Sequence, residues 1–134
     1  MSTRTRAELR TLVRFALVGV TNTALTLVTF ALLVLLGTPA PAASALAFAA
    51  GAVNGYRLNR TWTFRATETG PLLLLRYSVV QALGAGLSAL GMMLVSSAVT
   101  TDHLVAEGLV LPLVTLFTYT LSRRVFRAPG LARG

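Results

Sequence analysis

The sequence predicts an all-α membrane protein of four transmembrane helices, arranged as two repeated hairpins with both termini on the cytoplasmic side. Three observations predict it: a composition too apolar for a soluble domain, four long apolar segments, and arginines confined to three clusters. Of 134 residues, 54% are hydrophobic and 12% charged. A soluble chain of this size needs more polar surface to stay dispersed. The length is that of one domain, residues 1–134.

Taken in order, the first apolar segment, Phe15–Leu36, carries no charge and predicts a helix over about residues 12–36. A bilayer core takes about 20 residues to cross. An apolar run this long also exceeds the hydrophobic core of a cleavable signal peptide. The dipeptides Thr38-Pro39 and Ala40-Pro41 then make a short turn, and a second helix is expected over about residues 42–58. A polar segment, Asn59–Pro71, separates it from a third helix over about 72–99, interrupted only by Arg76 near its start. After Thr100-Thr101-Asp102-His103, a fourth is expected over about 104–122, carrying Glu107. Residues 1–11 and 128–134 are expected as cytoplasmic tails.

The net charge of +8 could belong to a nucleic-acid binder, but its placement argues otherwise. All twelve basic residues are Arg: Arg4, Arg6, Arg10 and Arg14; Arg57, Arg60, Arg65 and Arg76; Arg123, Arg124, Arg127 and Arg133. Four crossings put the three clusters on one side, and neither outer turn then holds a basic residue. That asymmetry predicts N-in and C-in. The chain has no Cys, so no disulfide, thiolate nucleophile or Cys-based metal site can form.

The chain repeats itself. Arg14-Phe15-Ala16-Leu17-Val18 is similar to Arg76-Tyr77-Ser78-Val79-Val80, 62 residues on. Leu58-Asn59-Arg60 matches Leu121-Ser122-Arg123, and Tyr56 matches Tyr119, both 63 residues on. Two like hairpins would be related by an axis along the membrane normal. Each helix also carries a stripe unlike lipid: Gly19, Asn22, Thr26 and Thr29; Ser44, Ala47, Gly51 and Asn54; Tyr77, Gln81, Gly84, Ser88 and Gly91; Thr115, Thr118 and Ser122 beside Tyr119. Steps of three and four align each set on one face. Small residues let helix backbones approach, and amides and hydroxyls can bond across them, which accounts for most of the stripe positions. Asn22, Asn54 and Gln81, with Asn59, Tyr77 and Tyr119, are the candidates for a polar pathway, because intramembrane amides are hard to satisfy by packing alone.

The segment Gly55-Tyr56-Arg57-Leu58-Asn59-Arg60-Thr61-Trp62-Thr63-Phe64 is the most informative. Its Asn-Arg-x-Trp-Thr-Phe, closing a second helix, resembles the GtrA-like family. The resemblance extends to Arg14-Phe15 with Val18-Gly19, to Arg76-Tyr77, and to Ser122-Arg123-Arg124-Val125-Phe126, covering about residues 12–127. Gly55 stands where the family often has Asn, and Arg57 where an apolar residue is usual. The fourth-helix motif is one residue shorter and lacks the Trp. The resemblance implies movement of polyprenyl-phosphate-linked sugars across the cytoplasmic membrane. Such sugars feed glycosyltransferases that build O-antigen, teichoic acid or arabinan-type polymers. Some relatives resemble adaptors that recruit a glycosyltransferase instead.

The residue chemistry suits that substrate. Guanidinium offers a planar fork matching phosphate oxygens, and Arg14, Arg60, Arg76 and Arg123 stand at cytoplasmic helix ends at repeat-related places, with Arg57 nearby. Taken singly, each could equally be an anchor to anionic head groups. Trp62, Phe64 and Phe126 are expected as interface anchors. No cofactor, no metal and no catalytic residue is expected. Asp102, His103 and Glu107 could in principle hold a metal or transfer protons, but a solvated turn explains them more simply. Without Lys there is no phosphate-binding loop of the Gly-Lys type. A small multidrug exporter would place a Glu in the middle of its first helix, and none is there. Expected partners are the lipid-linked sugar, membrane lipids, a glycosyltransferase and a second copy of the chain, since four helices enclose only a thin path.

Overall fold

The computed structural model describes residues 1–99 and 101–127, except the side chains of Pro41, Ser96, His103, Leu104 and Glu107. The chain is all-helical over these residues: α1 Thr3–Leu35, α2 Ala40–Leu58, a π-helical turn Asn59–Thr63, α3 Pro71–Ala98 and α4 His103–Arg127. Residues divide into two compact units, Met1–Gly70 and the chain from Pro71 onward. Each is a helical hairpin, as the repeat predicts.

In the first hairpin, α1 begins at Thr3 rather than near residue 12, so most of the expected N-terminal tail is helix. The Ser2 side chain caps it, accepting a bond from the Thr5 amide at 3.2 Å. At 33 residues α1 is about 50 Å long, well beyond a hydrocarbon core of about 30 Å. Its far end is stopped by Gly37 at φ +91°. There the Thr38 amide reaches Leu33 O at 2.9 Å and the Gly37 amide reaches Val34 O at 3.0 Å. These are the two bonds of a glycine-terminated helix end. Pro39 precedes α2 and Pro41 lies in its first turn, where a missing amide hydrogen costs little. The helix therefore starts two residues earlier than the prolines alone suggest.

Contacts Phe15 to Phe64, Asn22 to Asn54, and Thr26 against Gly51 set α1 and α2 antiparallel. In the second hairpin, Tyr77 meets Phe126, Gly84 faces Thr118 and Gly91 faces Val110. The glycines carry the close approach. A Cβ on Gly51 would collide with Thr26 Oγ1, one on Gly84 with Thr118 Cγ2, and one on Gly91 would lie 2.9 Å from Val110 Cγ1. By contrast, a Cβ on Gly19 would meet nothing.

Among the described residues, three stretches are long and apolar enough to cross a membrane: Thr3–Leu35, Pro71–Val95 and Gly108–Arg127. The chain is a membrane protein with several apolar helices. The remaining helix, α2, has 19 residues, about 28 Å, and its last turns contain Asn54 and Arg57. The fourth helix runs to Arg127, past the expected end at Ser122, so Arg123, Arg124 and Arg127 are helical and complement the negative pole of its C-terminus.

Candidate functional site

The Asn-Arg-x-Trp-Thr-Phe segment is not the plain loop start that its polarity suggests. It continues α2 as a π turn, with the Phe64 amide bonded to Asn59 O at 2.8 Å. The Ala66 amide then reaches Arg60 O at 2.7 Å, and Arg65 takes φ +50° as the chain leaves the helix. Widened turns of this kind concentrate at functional positions because they re-aim side chains. Here Asn59 and Thr63 point inward and are 1% and 4% exposed, while Trp62 remains 40% exposed.

Opposite this turn, α1 presents Arg14 and Phe15. The Phe15 and Phe64 rings lie 6.0 Å apart and tilted by 58°, which locks the turn onto α1. The Arg14 guanidinium carbon sits 5.3 Å from the Trp62 ring centroid, and Nη1 donates to the Trp62 carbonyl at 3.3 Å. One cation is thus held over an aromatic face by two contacts at the end of a helix pair. Arg60, on the same turn, donates from Nη1 to the Glu68 carbonyl at 3.2 Å and pins the segment leading to Gly70. Arg57 is exposed, and its carbonyl accepts from Thr61 Oγ1 at 2.7 Å.

The second hairpin reproduces the aromatic contact without the tryptophan. Tyr77 and Phe126 lie 5.6 Å apart, each 62 residues after its counterpart in the first. Arg76 is exposed beside Tyr77, and Arg123 is half-buried. Tyr56 and Tyr119 are buried, as are Val18 and Val80, so the repeat extends through the packed core.

Of the three aromatic residues expected at the interface, only Trp62 shows its ring at the surface; Phe64 and Phe126 are turned into their hairpins. Two of the candidate pathway amides bond to each other, Asn54 Nδ2 donating to Asn22 Oδ1 at 2.8 Å. Asn59, Tyr77 and Tyr119 are buried, and Gln81 is half-buried. Asp102 caps α4, its Oδ1 accepting from the Val105 amide at 3.4 Å. The side chains of His103 and Glu107 lie outside the described residues, as does Arg133. No cluster of three metal-ligating side chains occurs among the described residues.

Sequence reasoning missed the π turn, the burial of Thr63 and the hold of Arg60 on Glu68. An apolar pattern ending at Leu58 gave no sign that helical winding continues.

No curated protein matches the chain. A profile of the GtrA/DPMS transmembrane domain matches residues 14–126, from the arginine over Trp62 to the ring against Tyr77. The chain therefore belongs to the GtrA/DPMS transmembrane-domain family, which is linked to membrane processes using polyprenyl-phosphate sugars.

Proposed function

We propose that the protein carries a polyprenyl-phosphate-linked sugar across the cytoplasmic membrane, for synthesis or modification of cell-surface polysaccharide. In this reading it crosses four times, with both termini cytoplasmic, and performs no covalent chemistry. The observation that carries it is Arg14 held over Trp62 at the end of the first hairpin. A positioned guanidinium beside a surface-exposed indole suits a phosphate at the head-group level, with the polyprenyl tail remaining in lipid. A sugar hydroxyl entering hydrocarbon unpaired costs about 2–7 kcal/mol, so a head group with several needs partners supplied by protein.

The test uses purified protein in liposomes containing labelled lipid-linked sugars, with sidedness read by an impermeant enzyme or oxidant. Wild type should expose inner-leaflet label to the outside, while Trp62→Ala and Arg14→Ala should each lose most of that rate. Translocation by the double variant at the wild-type rate would sink the proposal.

A second reading is a membrane adaptor that recruits a glycosyltransferase, and one observation favours it. Asn22 and Asn54 already bond to each other, so part of the polar stripe serves helix packing. An adaptor predicts co-purification with the glycosyltransferase and no translocation by the protein alone.

A further inference from the structure

Ser122 is wholly buried in α4, and its Oγ has no hydrogen-bond partner among the described residues. The helices themselves provide the comparison. Thr11, Thr21, Thr23, Thr61, Thr118 and Thr120 each bond their hydroxyl to the carbonyl four residues back. Ser122, one turn beyond Thr118, does not.

A second such atom belongs to the same hairpin. Gln81 Nε2 is buried and also lacks a partner among the described residues, although Gln81 as a whole is half-exposed. Its side chain therefore runs from the surface to the interior. The two residues stand at one level. Gln81 lies between Tyr77 and Gly84 on α3, Ser122 lies between Thr118 and Phe126 on α4, and those flanking residues face each other in pairs. At the repeat-related places of the first hairpin stand Gly19 and Asn59, so each hairpin has one amide at this level, carried on opposite helices.

We propose that Gln81 and Ser122 form a hydroxyl-recognition site within the second hairpin, and that it takes the sugar of a prenyl-phosphate-linked substrate whose phosphate rests against Arg76. The inference rests on the translocation reading above and assigns the sugar contact within it. An amide N–H donates, and a serine hydroxyl both donates and accepts, which matches a hydroxyl that needs both. A buried polar atom left unmatched costs free energy, so such atoms persist where a ligand completes them. Arg76 is exposed and makes no hydrogen bond or ion pair among the described residues. It lies five residues before Gln81, about 7.5 Å along the helix axis. It also stands about 140° round the helix from Gln81, so the long Arg76 side chain must bend along the α3 surface to hold a phosphate beside a sugar at Gln81.

Binding to the purified full chain in detergent tests this, using a short-chain prenyl phosphate and the same lipid carrying a hexopyranose or a pentofuranose. Wild type should bind at least one sugar-bearing lipid about tenfold more tightly than the bare phosphate, the worth of roughly one charge-neutral contact. Ser122→Ala and Gln81→Leu should each erase that difference and leave bare-phosphate affinity within about twofold. Without lipid, the thermal midpoint of Ser122→Ala should equal or exceed that of wild type, because no protein partner is lost. Equal wild-type affinity for bare and sugar-bearing lipids overturns the site while leaving the phosphate contact intact. A lowered Ser122→Ala midpoint without lipid also overturns it, by showing the hydroxyl already satisfied. Failure of wild type to bind even the bare phosphate removes both the site and the translocation reading.

Discussion

Arg14 and Arg60 stand at the same end of the first hairpin, yet their surroundings assign them different work. Arg14 is held by the Trp62 ring and carbonyl, contacts worth about 0.5–2 kcal/mol for the ring face alone. Lysine there keeps the charge but loses the flat surface that stacks and the fork that matches phosphate. Arg14→Lys should therefore bind a prenyl phosphate some threefold to tenfold more weakly than wild type, and Arg14→Ala more weakly still. Wild-type affinity in Arg14→Ala would reduce the residue to an interfacial anchor. Arg60 spends a donor on the Glu68 carbonyl, so its first effect is on the segment from Arg65 to Gly70. Arg60→Ala should speed amide exchange and protease cleavage there, whether or not lipid binding also falls. The sequence marked both arginines by their repeated places, but it could not show which one faces a ring and which one faces a carbonyl. That distinction depends on the π turn Asn59–Thr63, of which the sequence pattern gives no sign.

Within each hairpin, two helices approach where glycine meets a hydroxyl-bearing side chain, and that contact can be altered one methyl at a time. Gly84→Ala should destabilise by about 1–3 kcal/mol, as overpacking does. Thr118→Ser deletes the Cγ2 methyl that the new Cβ would strike, so the double variant should recover most of the lost thermal midpoint. Gly19→Ala, with open space at its Cβ, should be close to neutral. Recovery absent from the double variant would show that the collision is not the cause. The Asn22–Asn54 bond invites a complementary cycle. Either Leu alone strands one amide, whereas the double replacement removes both, so its cost should be less than the sum of the singles. A coupling of about 0.6–2 kcal/mol is the range found for polar pairs between membrane helices. Strict additivity in unfolding measurements would mean the bond contributes nothing. The polar stripes were legible from spacing alone, because a period of three to four survives any detail of packing. Partnership within a stripe was not legible, since Asn22, Asn54 and Gln81 look alike in sequence. Only the facing helix decides that the first two meet while the third reaches Ser122's level.

At the scale of the molecule, the repeat carries most of what the sequence foretold. Arg14-Phe15 and Arg76-Tyr77, 62 residues apart, predicted two like hairpins, and each pair places a ring from the first helix of its hairpin against the closing Phe. Helix ends were less legible: α1 begins at Thr3 and α4 continues to Arg127, since arginine favours helices as well as membrane edges. Orientation across the bilayer rests on arginine placement, and it has a direct test. The chain contains no cysteine, so a single introduced thiol reports its own side without background. Glu68→Cys lies in the segment between α2 and α3, and Asp102→Cys lies in the turn before α4. If the basic clusters are cytoplasmic, an impermeant maleimide should label position 102 in intact cells, and position 68 only after permeabilisation. Loss of the Asp102 cap should cost about 1 kcal/mol at the helix start, small enough to leave insertion unchanged. Labelling of both positions in intact cells would mean that α3 does not carry the chain across the membrane as proposed. Labelling of position 68 alone would invert the topology and move Arg14, Arg60 and Arg76 to the outer face. The phosphate contact would then have to operate on the side where the sugar is delivered rather than where it is loaded.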